Sequence, residues 1–312
     1  MTGILICHDG ARYELPAPIS WKLQYGTGVP CDSFEVVCPC GTAPDPAVGE
    51  SVGFEAVENG KSVFRGVVDE SEYRWSDGGG RLLITGRGMA ALLLDNEAEA
   101  AEYQMATLED ILRDHVYPYG IQVAEKTQLP AVAGFTVASG SSEWQVLYEF
   151  VRYHGGIEPR FNAQGALVLA PWQDRERLVA DDFVPVTELA YRQRRYGVLS
   201  EVLVRDRGKK ATQRVVNQDF IRRGGRCRRV VTMPGRSSYQ AMRYSGQFQL
   251  EQSAAKELRV ELTVPQPFFA FPGERLEFKR ERPDVEGIWR VLEAETGADE
   301  RGAYTRLTLG GK

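Results

Sequence analysis

Four of the five cysteines, Cys7, Cys31, Cys38 and Cys40, fall near the start of the chain, with His8 beside the first and Cys227 far downstream. Thiolates and imidazoles are zinc ligands, so this grouping is the first place to look for a metal. The spacing argues otherwise. Cys38 and Cys40 form Cys-x-Cys, not the Cys-x2-Cys of a zinc knuckle. Phe34, Val36, Cys38 and Cys40 instead alternate as one face of a strand does, where cysteine packs as a small apolar residue. An odd number of cysteines in 312 residues also argues against a disulfide framework. His115 has no second ligand spaced to join it and reads as a packed or half-exposed helix-face residue, and His8 and His154 sit in contexts unlike it and each other.

Catalytic motifs are absent from the sequence: there is no Gly-x-Ser-x-Gly, His-Glu-x-x-His, phosphate loop or dinucleotide fingerprint. Gly78-Gly79-Gly80 precedes a strand, so no helix N-terminus is offered to a phosphate. The 43 acids contain no pair that position marks out for glycoside hydrolysis. The sequence therefore predicts no catalytic residue, no cofactor and no metal.

Arginine is the remaining candidate. Between Arg192 and Arg229, 13 basic residues meet three acids, Glu201, Asp206 and Asp219. The net charge is −6 over residues 1–95, −6 over 96–178 and +7 over 179–312. A basic stretch can mean nucleic acid, but this one lacks interleaved aromatics for base stacking and any helical recognition motif. Opposed charge at the two ends suits packing against copies of the same chain. Arg192, Arg194, Arg195, Arg222, Arg223, Arg228 and Arg229 are thus candidate contacts to another subunit or a protein partner, with no specific nucleic-acid binding expected.

The elements that must position these residues are mostly strands. Short runs at Ile4–Cys7, Ile19–Gln24, Ser33–Cys38, Ser51–Glu55, Val63–Tyr73 and Arg81–Arg87, with Asn59-Gly60 and Asp77-Gly78 as hairpin signals, predict an antiparallel β unit over residues 1–95. Thr107-Leu108-Glu109-Asp110 has the form of a capping box, followed by Leu108, Ile111, Leu112 and His115 on one helix face. A second helix, from Ser141 or Ser142 to Gly155, places Trp144, Leu147, Tyr148 and Val151 together, and a hairpin turns at Asn162–Gly165. Residues 96–178 are expected to be an α+β domain, and 179–312 a second β unit with strands at Val198–Arg205, Arg214–Ile221, Arg228–Thr232 and Glu257–Val264. No apolar run approaches the roughly 18 to 20 residues of a membrane span. The start, Gly3–Cys7, is too short for a signal peptide, so a soluble chain made in a cytoplasm, with no membrane contact, is expected.

An internal repeat ties the ends together. Gly49-Glu50-Ser51-Val52, Phe64-Arg65 and Arg81-Leu82 recur as Gly273-Glu274-Arg275-Leu276, Trp289-Arg290 and Arg306-Leu307, and Arg65 to Arg81 and Arg290 to Arg306 are both 16 steps. Three strand-like segments in the same order predict two copies of one β unit, with Trp289 and Phe64 in equivalent places.

The order Ser33-Phe34-Glu35-Val36, Val63–Val68, Arg81–Arg87, Leu94–Ala98, Gly140–Leu147 and Gly287–Val291 resembles the baseplate hub proteins of contractile-tailed phages of the Mu type and of phage-tail-like bacteriocins. That resemblance implies a mainly β chain with an α+β insert: two antiparallel β-barrels like the tail-tube protein, with a smaller domain beside them. It implies a structural protein of the virion or tail-like particle, a homotrimer that adapts a six-fold tail tube to a three-fold central spike within the baseplate, with tube, spike and other baseplate proteins as partners. The alternative expectation is a tail-associated cell-wall or polysaccharide hydrolase or binding protein.

Overall fold

Alternating burial runs through the strands of the N-terminal third: β1 (Thr2–Cys7), β2 (Arg12–Glu14), β3 (Ser20–Gly26), β4 (Ser33–Cys40), β5 (Ser51–Glu58), β6 (Lys61–Ser76) and β7 (Gly79–Gly88), with a short helix, α1 (Pro46–Glu50), before β5. Trp21, Leu23 and Tyr25 on β3, and Phe34, Val36 and Cys38 on β4, point inward, as period-2 patterning requires. Asn59 (φ 50°) and Gly60 (φ 75°) make the tight turn between β5 and β6. The computed structural model describes residues 1–26, 32–172, 174, 177–181, 183–208, 211–233, 237–255, 257–279 and 287–310; Cys31 lies outside them.

The middle of the chain folds around its own core. It contains α2 (Ala91–Leu94), β8 (Ala101–Ala106), α3 (Leu108–His115), β9 (Val123–Lys126), β10 (Val132–Val137), α4 (Glu143–Tyr148) continued by a π turn over Glu149–His154, β11 (Arg160–Phe161) and β12 (Leu167–Leu169). The capping box forms: Thr107 Oγ1 accepts from the Asp110 amide while the Asp110 carboxylate accepts from the Thr107 amide. The helix it starts buries Leu108, Ile111, Leu112 and His115 against Trp144, Leu147, Phe150 and Val151.

Beyond residue 176 come β13 (Arg177–Asp181), β14 (Glu188–Gln193), β15 (Glu201–Asp206), β16 (Thr212–Val216), α5 (Gln218–Arg222), β17 (Arg228–Met233), α6 (Tyr239–Ala254), β18 (Leu258–Val264), β19 (Arg275–Lys279), β20 (Gly287–Asp299) and β21 (Gly302–Gly310). Two differences from the sequence reading stand out. The strand expected from Arg214 to Ile221 stops at Val216, because Asn217 caps α5 by accepting from the Phe220 amide. Residues 199–250 also make a third core, in which α6 lies on the sheet β16-β15-β17. The inward side of α6 carries Ala241, Met242, Ser245, Gly246, Leu250 and Ser253. A Cβ on Gly246 would stand 2.6 Å from Val215, so the small residue lets helix and sheet touch.

The remaining strands form one thirteen-stranded sheet in the order β14-β18-β21-β20-β3-β4-β7-β6-β5-β1-β2, with β19 also on β20 and β13 parallel to β19. Two runs within it match: β3-β4-β7-β6-β5 and β14-β18-β21-β20-β19. β20 serves both. Its first residues pair with β19, and after a bulge at Leu292 its outer half pairs with β3. One apolar cluster, including Leu23, Phe34, Phe54, Phe64, Leu276, Trp289 and Leu309, spans both runs. Among the described strands the pairing is an open path, and neither run closes on itself as a barrel.

Bulges fix how the two copies align. In the first, Val68 faces Gly86 and Glu70 faces Thr85; in the second, Val291 faces Leu309 and Glu293 faces Thr308. Glu70 therefore corresponds to Glu293, and Trp289 to Gly66, not to Phe64. The sequence match is two residues out, a full strand period, so the same face still points inward. Side-chain volume is exchanged across the pair: Phe64 faces Ala56 and Gly66 faces Phe54, whereas Gly287 faces Phe278 and Trp289 faces Leu276. A Cβ on Gly66 would lie 2.9 Å from the Phe64 ring and 2.0 Å from the Arg87 carbonyl oxygen. Phe64 thus covers the place that Trp289 fills in the second copy.

Candidate assembly surface

The fold sorts the seven predicted arginines into two groups. Arg228 and Arg214 both bind the buried carboxylate of Glu201, Arg214 Nε at 2.7 Å. Arg223 binds the buried Glu257, its Nη2 lying 2.8 Å from Oε2. Arg222 pairs with Asp219, and Arg195 donates to the Arg223 carbonyl oxygen. Four of the seven, Arg195, Arg222, Arg223 and Arg228, thus bind carboxylate or backbone acceptors within the third core and at its edge. Arg229 donates to Gln249 Oε1 at 2.7 Å, a neutral acceptor. Arg192, on β14, lies 3.9 Å from Glu261, and Arg194, just beyond it, lies 5.2 Å from the centre of the Tyr196 ring. Aromatics do interleave here, contrary to the sequence reading: Tyr196 is exposed, while Phe220 is buried.

Hydrogen bonds from Arg228 and then Arg214 hold the Glu201 carboxyl below the usual carboxylate range. A lowered pKa means the folded state favours the ionised form, so this contribution is present above the ordinary carboxylate pKa and lost as the pH falls through the lowered value. Glu201→Gln is expected to speed hydrogen exchange in β15 and β17 at neutral pH, with the difference from the parent fading below about pH 4. Equal exchange at neutral pH would show that the two arginines do not depend on Glu201.

Cys7, Cys38, Cys40 and His115 are held in structural contacts. Cys38 is fully buried, its Sγ donates to the Pro16 carbonyl oxygen at 3.4 Å, and burial pushes its pKa up to about 11. Cys40 donates to the Ala43 carbonyl oxygen at 3.4 Å, and Cys7 to that of Ala47 at 3.7 Å. No group of three metal-ligating side chains comes together among the described residues. His115 is packed, the first of the two placements its helix face allowed: Nδ1 lies 2.6 Å from Glu143 Oε2, and Nε2 lies 3.1 Å from the Tyr103 hydroxyl.

Several strand edges stay unpaired among the described residues, β2 at the far end of the large sheet included, and two of them are long and carry an exposed aromatic. One is the outer edge of β14, the last strand of the sheet. The other belongs to β6: β5 covers it only as far as Val67, and from Glu70 to Ser76 it pairs on one side alone, with β7. Exposed aromatics mark both, Tyr191 at 54% and Trp75 at 64%. Sequence reasoning singled out Arg192 and Arg194, which lie on or just beyond β14, and did not single out the outer half of β6, where Glu70 and Glu72 alternate with Ser71 and Tyr73.

Residues 90–171, which hold the middle core, match the family model for the second domain of gp44-like baseplate hub proteins. The chain resembles baseplate hub proteins. Solved structures of tail proteins share the whole fold. A tail protein from Neisseria meningitidis MC58 superposes with a TM-score of 0.80 at 17% identity, covering 100% of this chain and 96% of that one. The 43 kDa tail protein of prophage MuSo2 from Shewanella oneidensis gives 0.76 at 15% identity, covering 99% and 98%. An E. coli component of the type VI secretion system, described as structurally similar to the T4 tail proteins gp27 and gp5, gives 0.59 at 13% identity, covering 95% and 73%. No curated protein matches the sequence.

Proposed function

We propose that the chain is a structural hub of a contractile-tail baseplate, a trimer that joins a six-fold tail tube to a three-fold spike. The observation that carries this reading is the duplication: β3-β4-β7-β6-β5 and β14-β18-β21-β20-β19 are two copies of one unit, joined edge to edge through β3 and β20. Three chains built this way present six like units to a tube and three-fold symmetry to a spike. The matched hub-domain family and the shared fold of tail proteins support the same reading, as do the two long uncovered strand edges. On this account the two units close into tube-like barrels in the assembly. The arginines are structural or face protein, the chain needs no cofactor, and it works within the particle.

Co-expression with the spike protein encoded in the same tail cluster tests this. The expected result is a complex with three chains of each. Failure to co-purify, together with release of soluble product from peptidoglycan that is lost on one carboxylate substitution, would overturn the hub reading in favour of a hydrolase.

A further inference from the structure

Within the chain, β3 adds to the outer half of β20 in an antiparallel register that pairs Glu293 with Gly26, Ala294 with Tyr25, Glu295 with Gln24, Thr296 with Leu23 and Ala298 with Trp21. The duplication gives each partner a counterpart. Through the bulge alignment, Glu293–Ala298 of β20 correspond to Glu70–Trp75 of β6. Through the pairing of β4 with β7 and of β18 with β21, Ser33–Cys38 correspond to Arg259–Val264. The strands paired with those residues then match Ser20–Gln24 to Glu188–Arg192. The counterpart of the β3 donor is thus β14, and the counterpart of the β20 acceptor is the outer half of β6. The first pair is joined within the chain, whereas the second pair has both edges open.

We propose that β14 of one copy adds to the outer half of β6 of a second copy, antiparallel, with Glu72 opposite Arg192 and Glu70 opposite Arg194. Transferring the internal register also sets Ser71 opposite Gln193, Tyr73 opposite Tyr191 and Trp75 opposite Leu189. No charge or exposure entered that alignment. It nevertheless brings two carboxylates against two arginines and sets Trp75 and Tyr191, both exposed, into apolar or aromatic pairs, the matches that stabilise neighbouring strands. A charge on an edge strand ordinarily blocks pairing; here the facing edge carries the opposite charge at the same positions.

The present partners of these groups are exposed and weak. Glu72 holds Arg74 at 2.7 Å, and Arg192 lies 3.9 Å from Glu261. Exposed pairs of this kind contribute little, so exchanging them costs little. The contact is head to tail, using different edges on the two copies, and repeats into a ring or a filament. It deepens the hub reading and rests on it only for the number of copies.

Charge reversal and cysteine pairing test the register in the full chain. Glu72→Arg or Arg192→Glu alone is expected to weaken self-association by about tenfold or more, most strongly at low salt, and the double exchange in one chain to restore it. Ser71→Cys with Gln193→Cys should form an intermolecular disulfide on mild oxidation, absent from the parent with its native cysteines, whereas Ser71→Cys with Leu189→Cys should not. A chain that stays monomeric at every concentration, or an assembly that forms without the Ser71–Gln193 link, overturns the proposal. In the latter case the hub reading survives. Linked chains that grow without closing at three copies would uphold the pairing and sink the hub reading.

Discussion

Replacing Trp289 with alanine is expected to cost on the order of 3 to 5 kcal/mol, among the largest losses from single side chains of the sheet. Trp289 is 2% exposed, faces Leu276 across the β19–β20 ladder and stands edge-on to Tyr191 with ring centres 6.1 Å apart. Removing the indole leaves a cavity where the two units share one core, because Phe64 reaches only the equivalent place in the other copy. The loss should also reach β14: with Tyr191 undercut, hydrogen exchange over residues 188–193 should rise more than in Phe64→Ala, which empties the first copy's place at a similar global cost. Urea denaturation gives the stability and exchange gives the location. A Trp289→Ala chain that unfolds with the parent would show that the indole does not pack in the shared core.

Glu143→Ala is the second large effect, expected at about 3 kcal/mol or more, since removing one partner of a buried pair leaves the other without its bond. Glu143 is 6% exposed; its Oε2 faces His115 Nδ1 at 2.6 Å, and its Oε1 accepts from the Tyr119 hydroxyl at 2.9 Å. The same network continues through Tyr103, whose hydroxyl donates to Asp114 at 2.9 Å. Glu143→Gln, which keeps the shape and one acceptor oxygen, should cost less. A double-mutant cycle with His115→Ala should show coupling of about 1 kcal/mol or more. Coupling near zero would mean that the two side chains do not meet in solution.

Much of this was readable in the residues. Alternation in Ser33–Cys38 predicted its buried face, Thr107 and Asp110 predicted the start of α3, and recurring Arg-Leu and aromatic-Arg pairs predicted the duplicated meander. The register of that duplication was not readable, because the visible markers sit two residues away from the bulges that set it, and because Phe64 and Gly66 trade volumes with Gly287 and Trp289. α6 escaped for a different reason: its buried side mixes Ser245, Gly246 and Ser253 with Met242 and Leu250, so contact there depends on small size and not on hydrophobicity. Arginine count marked Arg192–Arg229 as one basic patch, yet only pairing in space shows that Glu201 and Glu257, one of them distant in sequence, bind Arg228, Arg214 and Arg223. Glu70 and Glu72 went unremarked because their meaning depends on an alignment with β20 that exists only once the bulges are seen.

The most direct test of the account is the native mass of the purified chain across a concentration series, alone and with its spike protein. A closed assembly of three chains, reached through a head-to-tail contact that weakens with salt, is the predicted result. A mass that stays at one chain, or stops at a two-fold dimer with spike present, would contradict it.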